Sequence, residues 1–197
     1  MNMQERLETL AAAHHGVLQT ADAVAAGISK KSLAAFVKER GFERVSHGIY
    51  SDPDAWTDAM FILQLRCPKT VFSHDTALFL LDLTDREPLS YTVTAKTGYN
   101  PSRLTEDGIK VYTVKKELFE IGLTYSLTPF GNSVSVYNME RTICDVIRSR
   151  STIEAQALQD ALKQYARRKD KNLHQLMEYA QLFHVDRIIR QYLEVLL

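Results

Sequence analysis

The stretch Gly16–Tyr50, GVLQTADAVAAGISKKSLAAFVKERGFERVSHGIY, decides how this chain is read. It divides into two short helical runs, a turn at Gly27-Ile28 between them, and a tight hairpin. Thr20 is placed to cap the first run, with Asp22 in the first turn facing the positive end of the helix dipole. Ala21, Val24 and Ala25 give that run a thin apolar stripe, and Gly27 stops it. Ser29 caps the second run. There Leu33, Phe36 and Val37 follow the i, i+3, i+4 spacing of a core-facing side. At about 100° per residue, Lys31, Ala35 and Lys38 fall on the opposite face, flanked by Ser32 and Ala34. Short side chains between lysines let a helix approach a groove closely while the ammonium groups reach phosphates. Gly41 closes the helix. Phe42–Val45 and Ile49–Ser51 then read as strands about Ser46-His47-Gly48, where Gly48 supplies the positive φ of a tight hairpin.

This order predicts a winged helix-turn-helix that binds double-stranded DNA. In that motif the N-terminal turn of the second helix, here Lys30-Lys31-Ser32, meets base edges. Lys31 and Lys38 are candidates for phosphates, Arg40 follows them at the helix end, and Arg44 and His47 ride on the wing. Winged domains also dock proteins, and that alternative stays open at this point.

Working outward, residues Met3 to Ala13 read as a helix with Leu7, Leu10 and Ala11 on one face, ended by Gly16. Val17-Leu18 fits a short strand pairing with the wing. After the hairpin, Asp52-Pro53 reads as a helix start, a cap followed by Pro at the first position. Trp56, Ala59, Met60 and Leu63 form its stripe, and Cys67-Pro68 its end. Ser73 reads as the cap of a short helix through Leu83. Strand-like runs follow at Leu89–Ala95, Ile109–Val114, Leu123–Thr128 and Val134–Tyr137, separated by Gly-, Pro- and Asn-bearing turns. Alternation of Tyr91, Val93 and Ala95 predicts one covered sheet face. From Asn138 the pattern is helical. Ile143, Val146 and Ile147 line one helix. Ser151-Thr152-Ile153-Glu154 reads as a capping box for the next, which carries Leu158, Ala161, Leu162 and Tyr165. Leu173, Leu176 and Ala180, then Ile188, Ile189, Tyr192 and Leu196, line two more. The expected fold class is α+β: a winged helix-turn-helix domain over 1–70, including a bridging helix, and a larger α+β domain over 71–197 with an antiparallel-type sheet followed by a helical bundle.

The composition fits a packed, water-soluble chain. Hydrophobic residues make up 45% of the 197, so a core can be built. The formal charge is zero, which leaves room for a local basic patch to set the field. Two cysteines far apart read as reduced thiols in a cytoplasmic protein. No apolar run is long enough to cross a bilayer. No phosphate-binding loop, nucleophile elbow or zinc-protease motif occurs, and the six histidines lack metal-ligand spacing, so they read as surface residues. A metal-dependent nuclease would need paired acids near Lys96, but Thr94 stands where one of them belongs. No enzyme activity, cofactor or metal is therefore expected. The second basic run, Arg167, Arg168, Lys169 and Lys171, reads either as a solvated helix end or as an extension of the DNA footprint.

Several stretches together resemble the AbiEi family, the antitoxins of type IV AbiE toxin–antitoxin and phage-defence systems. They are Gly16-Val17-Leu18 with the following helix, Gly27-Ile28-Ser29, the wing Arg44–Tyr50, the run Ser73-His74-Asp75-Thr76-Ala77-Leu78 to Leu83-Thr84-Asp85, and Glu140-Arg141-Thr142-Ile143-Cys144-Asp145. The resemblance implies an N-terminal winged-helix domain that binds inverted repeats in its own promoter and represses it. It also implies a C-terminal domain that acts as antitoxin without a stable toxin complex, and a monomer in solution that binds DNA cooperatively. The Glu140–Asp145 stretch, with Glu140, Arg141 and Asp145 spaced for local ion pairs, reads as structural.

Overall fold

The computed structural model describes residues 2–196; Met1 and Leu197, the outer ends of the expected domains, lie outside the described residues. The chain divides into two compact units, Met1–Pro68 with Leu127–Val134, and Lys69–Ser126 with Ser135–Leu197.

The first unit begins with α1 (Met3–Ala13), opened by an Asn2–Glu5 capping box. Gly16, at φ +89°, reverses the chain, and a Cβ there would meet the Ala55 Cβ at 2.5 Å. Then come β1 (Val17–Gln19), α2 (Thr20–Ala25), α3 (Lys30–Glu39), β2 (Glu43–Ser46), β3 (Ile49–Ser51) and α4 (Ala59–Arg66). The three strands form one sheet in the order β1-β3-β2, and both pairings are antiparallel. Leu7, Ala11, Leu18, Ala23, Ile28, Leu33 and Phe36 make the core.

Three local expectations fail here. Thr20 is not the cap of α2. Gln19 holds that place without a side-chain bond, and the Thr20 N–H donates to the Gly48 carbonyl at 2.8 Å. The stripe of Ala21, Val24 and Ala25 is exposed, and Ala23 is the residue α2 buries. Lastly, Asp52-Pro53 opens a turn instead of a helix. The Asp52 carboxylate accepts from the Asp54 N–H at 3.0 Å, a local bond that competes with helix formation. Trp56, assigned to a buried stripe, is 84% exposed, and Ala59 is exposed too.

The cap of α4 is Asp58, which is buried. Its carboxylate accepts from the Phe61 N–H at 3.0 Å, the Thr128 hydroxyl at 2.6 Å and the Asn132 amide at 2.8 Å. These bonds tie residues 127–134 into the first unit.

The second unit holds β4 (Thr70–Phe72), α5 (His74–Leu80), β5 (Thr92–Lys96), α6 (Ser102–Glu106), β6 (Lys110–Val114), α7 (Lys116–Phe119), β7 (Leu123–Leu127), β8 (Ser133–Tyr137), α8 (Met139–Arg148), α9 (Ala155–Arg167), α10 (Leu173–Leu182) and α11 (Asp186–Leu196). The fold is α+β, but the sheet is mixed, not antiparallel. Its order is β6-β5-β4-β8-β7, with β4–β5 antiparallel and both β4–β8 and β5–β6 parallel. The connection carrying α6 returns the chain parallel, which a two-residue hairpin cannot do. The helix α5 packs on β5, where Thr92 bonds to Thr76 and Ser73 and Thr94 to Ser73, so Thr92 and Thr94 are buried along with Val93 and Ala95 and the expected open face is closed.

Two caps also differ from expectation. The Ser73 hydroxyl makes no cap bond to α5, which ends at Leu80, because it is engaged with Thr94 and His74. The Ser151–Glu154 capping box does not form, and the Thr152 hydroxyl donates to the Ser149 carbonyl at 2.9 Å.

Every residue of α8 from Glu140 to Ile147 is buried. Arg141 donates to the Asp145 carboxylate at 2.9 Å and to the carbonyls of Leu118 and Ile121 at 2.8 and 2.9 Å. Its guanidinium carbon lies 4.1 Å from the Tyr137 ring centre and 4.0 Å from that of Phe183. Glu140 pairs with neither charged neighbour; its carboxylate accepts from the Tyr165 hydroxyl and the Asn172 N–H. These bonds offset most of the cost of burying the cluster, although Nη2 of Arg141 and Oδ1 of Asp145 are buried without a hydrogen-bond partner. The stretch therefore ties α8 to its neighbours, as the structural reading expects.

Candidate nucleic-acid interface

The basic residues of the first unit are placed by the capping and hairpin geometry of α3 and the wing. The Ser29 hydroxyl accepts from the Ser32 N–H at 3.1 Å, which fixes where α3 starts. Lys30 and Lys31 therefore occupy its first turn, where no acid competes. Both are exposed, as is Lys38 two turns later on the same face as Lys31. Leu33 and Phe36, each 2% exposed, hold the opposite face in the core. The Ser32 hydroxyl lies 2.9 Å from that of Ser29, inside the cap.

On the wing, the register shifts between Arg44 and Ser46, so Val45 is an extra residue in β2. The Arg44 guanidinium turns back over this bulge, donating to the Ser46 carbonyl at 3.3 Å and to Nδ1 of His47 at 3.1 Å. The second bond requires His47 to carry its proton on Nε2.

Lys30, Arg44 and His47 line one concavity of about 610 Å³, together with Gln19, Thr20, Ala21, Val24, Gly48 and Tyr50. Residues that α2 leaves exposed are thus part of its wall. No acid is among the lining residues. Between residues 30 and 47 five Lys and Arg stand against two acids, Glu39 and Glu43, so a chain of zero net charge carries a local cationic face. Arg40 is placed elsewhere. It pairs with Glu8 of α1 and lines a separate depression with Glu8, Asp52 and Asp54. Helical spacing already separates the two lysine-face and helix-end cations, since Arg40 lies about 200° round from Lys38 and four residues after Phe36, over whose ring its guanidinium sits.

The second unit contains two further polar sites. His74, expected at the surface, is completely buried and adopts φ +49°. Its ring nitrogens lie 3.0 Å from the hydroxyls of Ser73 and Ser149, and its ring stacks on Tyr112 at 3.6 Å. Burial first, then the charges of Arg148, Arg141 and Lys110, push its pKa down to about 3, so the ring is neutral. The signal missed in the sequence is that Ser73-His74 precedes a short apolar helix whose other residues are buried. In the second basic run, Arg168 makes two 2.8 Å bonds to the Asp170 carboxylate and holds its pKa down to about 2. Lys171 donates to the Arg168 carbonyl at 3.0 Å, while Arg167 and Lys169 are exposed. Two of the four cations are engaged locally.

Among the described residues, no group of three or more His, Cys, Asp or Glu could hold a metal ion. Lys96 donates to Glu120 at 2.8 Å. No helix of the described residues is long and apolar enough to cross a membrane.

No curated protein matches the chain. A solved structure, the crystal structure of the RV2827C protein from Mycobacterium tuberculosis, shares the fold with a TM-score of 0.58 at 12% identity, over 96% of this chain and 78% of that one. Residues 5–51, which span α1 to β3, match the family model described as transcriptional regulator, AbiEi antitoxin. The module that carries the basic concavity is thus, over residues 5–51, similar to the AbiEi antitoxin transcriptional regulators.

Proposed function

We propose that this protein is a sequence-specific repressor that binds double-stranded DNA at inverted repeats in its own promoter, and that it is also the antitoxin of a type IV toxin–antitoxin system. The observation that carries the DNA reading is the convergence of Lys30, Arg44 and His47 on one acid-free concavity beside the exposed lysines of α3. Lys31 and Lys38 hold phosphates, Lys30 and Ser32 stand nearest the base edges, and Arg44 and His47 track the backbone from the wing. The family match over residues 5–51 supports a regulator. In this reading the protein is a cytoplasmic non-enzyme, monomeric in solution, that pairs cooperatively on DNA. It counters its toxin without a stable complex, with the antitoxin activity in residues 71–197.

The test is a gel shift on the protein's own promoter. Lys31→Ala with Lys38→Ala abolishes the shift while the circular dichroism spectrum stays native. Undiminished binding refutes the assignment. The full chain is required, because two hydrogen-bond partners of Asp58 lie in residues 127–134 and a fragment ending at residue 70 lacks them. A protein-docking role is the second reading. Val24, 48% exposed on the concavity wall, favours it, and no shift on any promoter fragment would leave it standing alone.

A further inference from the structure

The last helix carries a second face, of which Ile188, Tyr192 and Leu196 are only partly buried against the core. In α11, Ile189 is 1% exposed and packs into the core of the second unit. Ile188, Gln191, Tyr192, Val195 and Leu196 follow the i, i+3, i+4, i+7, i+8 spacing of a separate stripe. These five residues line a cleft of about 630 Å³. Its other wall is Gln159, Leu162 and Lys163, one turn of α9, with Arg150 just beyond α8. Leu162 is buried and forms the floor, whereas Val195 is 84% exposed.

The polar lining has one sign. Its two charged side chains, Arg150 and Lys163, are cations, the other polar lining residues are the amides Gln159 and Gln191 and the Tyr192 hydroxyl, and no carboxylate side chain is among the described lining residues. The nearby acids, Asp160 and Glu194, are not part of the lining. A volume in the range of about 300–1,000 Å³, mostly apolar walls and a few placed polar groups are the marks of a small-molecule site. A stable protein partner would instead need roughly 800 Å² of surface on each side.

We propose that the α9–α11 cleft binds a small anionic amphiphile, a molecule with an apolar chain and a carboxylate. The chain lies along Leu162, Ile188, Tyr192 and Val195, and the carboxylate meets Arg150 and Lys163. This goes beyond DNA binding and uses none of its residues.

The experiment is isothermal titration of the full chain with decanoate, decanol and decyltrimethylammonium, each below its aggregation concentration. Saturable binding of one decanoate per chain, with the cationic homologue excluded, is the expected result. Arg150→Glu with Lys163→Glu should then weaken decanoate roughly tenfold or more, since two attractive pairs become repulsive, while promoter binding is unchanged. The absence of saturable decanoate binding overturns the proposal. So does equal binding of decanol, which would make the cleft a mere apolar hole, or affinity for decanoate that survives the charge reversal.

Discussion

The separation of Arg40 from the other cations can be tested quantitatively through salt. Each phosphate neutralised on duplex DNA contributes about −0.9 to the slope of log K against log salt. Lys31, Lys38 and Arg44 are candidate phosphate contacts, with Lys30 nearest the base edges, and Arg40 is already paired with Glu8. Three contacts give a slope of about −2.7 for one protein on one half-site, which is roughly one and a half decades of affinity between about 50 and 200 mM salt. Lys31→Ala with Lys38→Ala cuts the slope to about −0.9. Arg40→Ala leaves it unchanged, because the guanidinium it removes faces Glu8 and not the DNA. The assay is fluorescence anisotropy of a labelled single half-site titrated with the full chain at four or five salt concentrations, so that cooperativity does not enter. If Arg40→Ala flattens the slope as much as loss of one of the α3 lysines, the placement of the interface is refuted. If the double lysine variant keeps the full slope, α3 does not hold the backbone at all.

Two further perturbations probe the scaffold. Asp58→Ala removes the cap of α4, worth about 1 kcal/mol, and leaves the buried Thr128 and Asn132 donors unpaired at about 1–3 kcal/mol each. Urea unfolding should show a loss of roughly 3–7 kcal/mol, and a loss under about 1 kcal/mol would mean that these bonds do not hold residues 127–134. For His74, a folded pKa of about 3 lies below the unfolded value of 6.5. The neutral ring therefore stabilises the fold fully above pH 6.5, and this contribution is lost as pH falls from there towards about 3. From pH 7 to pH 5 the loss is about 2 kcal/mol. His74→Asn, which tolerates the left-handed backbone, should flatten that part of the stability–pH curve, and an unaltered curve would show that His74 is not the group responsible.

The sequence alone determined the module proposed to face DNA. Caps and glycines are local signals: Ser29, Gly27, Gly41 and Gly48 mark where α3 and the hairpin begin and end, and the spacing of Leu33, Phe36 and Val37 marks which face of α3 turns inward. The lysine face follows from that alone. Expectations that depended on distant partners did not hold. Thr20 is not the cap, since α2 starts one residue earlier than expected, with Gln19 in the cap position and the Thr20 N–H bonded to the Gly48 carbonyl. The period of β5 could not reveal that both its faces are covered, since Thr92 and Thr94 look polar until Ser73 supplies their partners. The same is true of His74, which is legible as a surface residue until Ser149 and Tyr112 enclose it. Spacing sets Arg40 about 200° round from Lys38, and the packing of α1 then supplies the acid, Glu8, that it pairs with. Periodicity reports which side of an element is apolar. Which polar groups are matched, and to what, is set by chain segments far away in sequence, and that is a property of the tertiary structure.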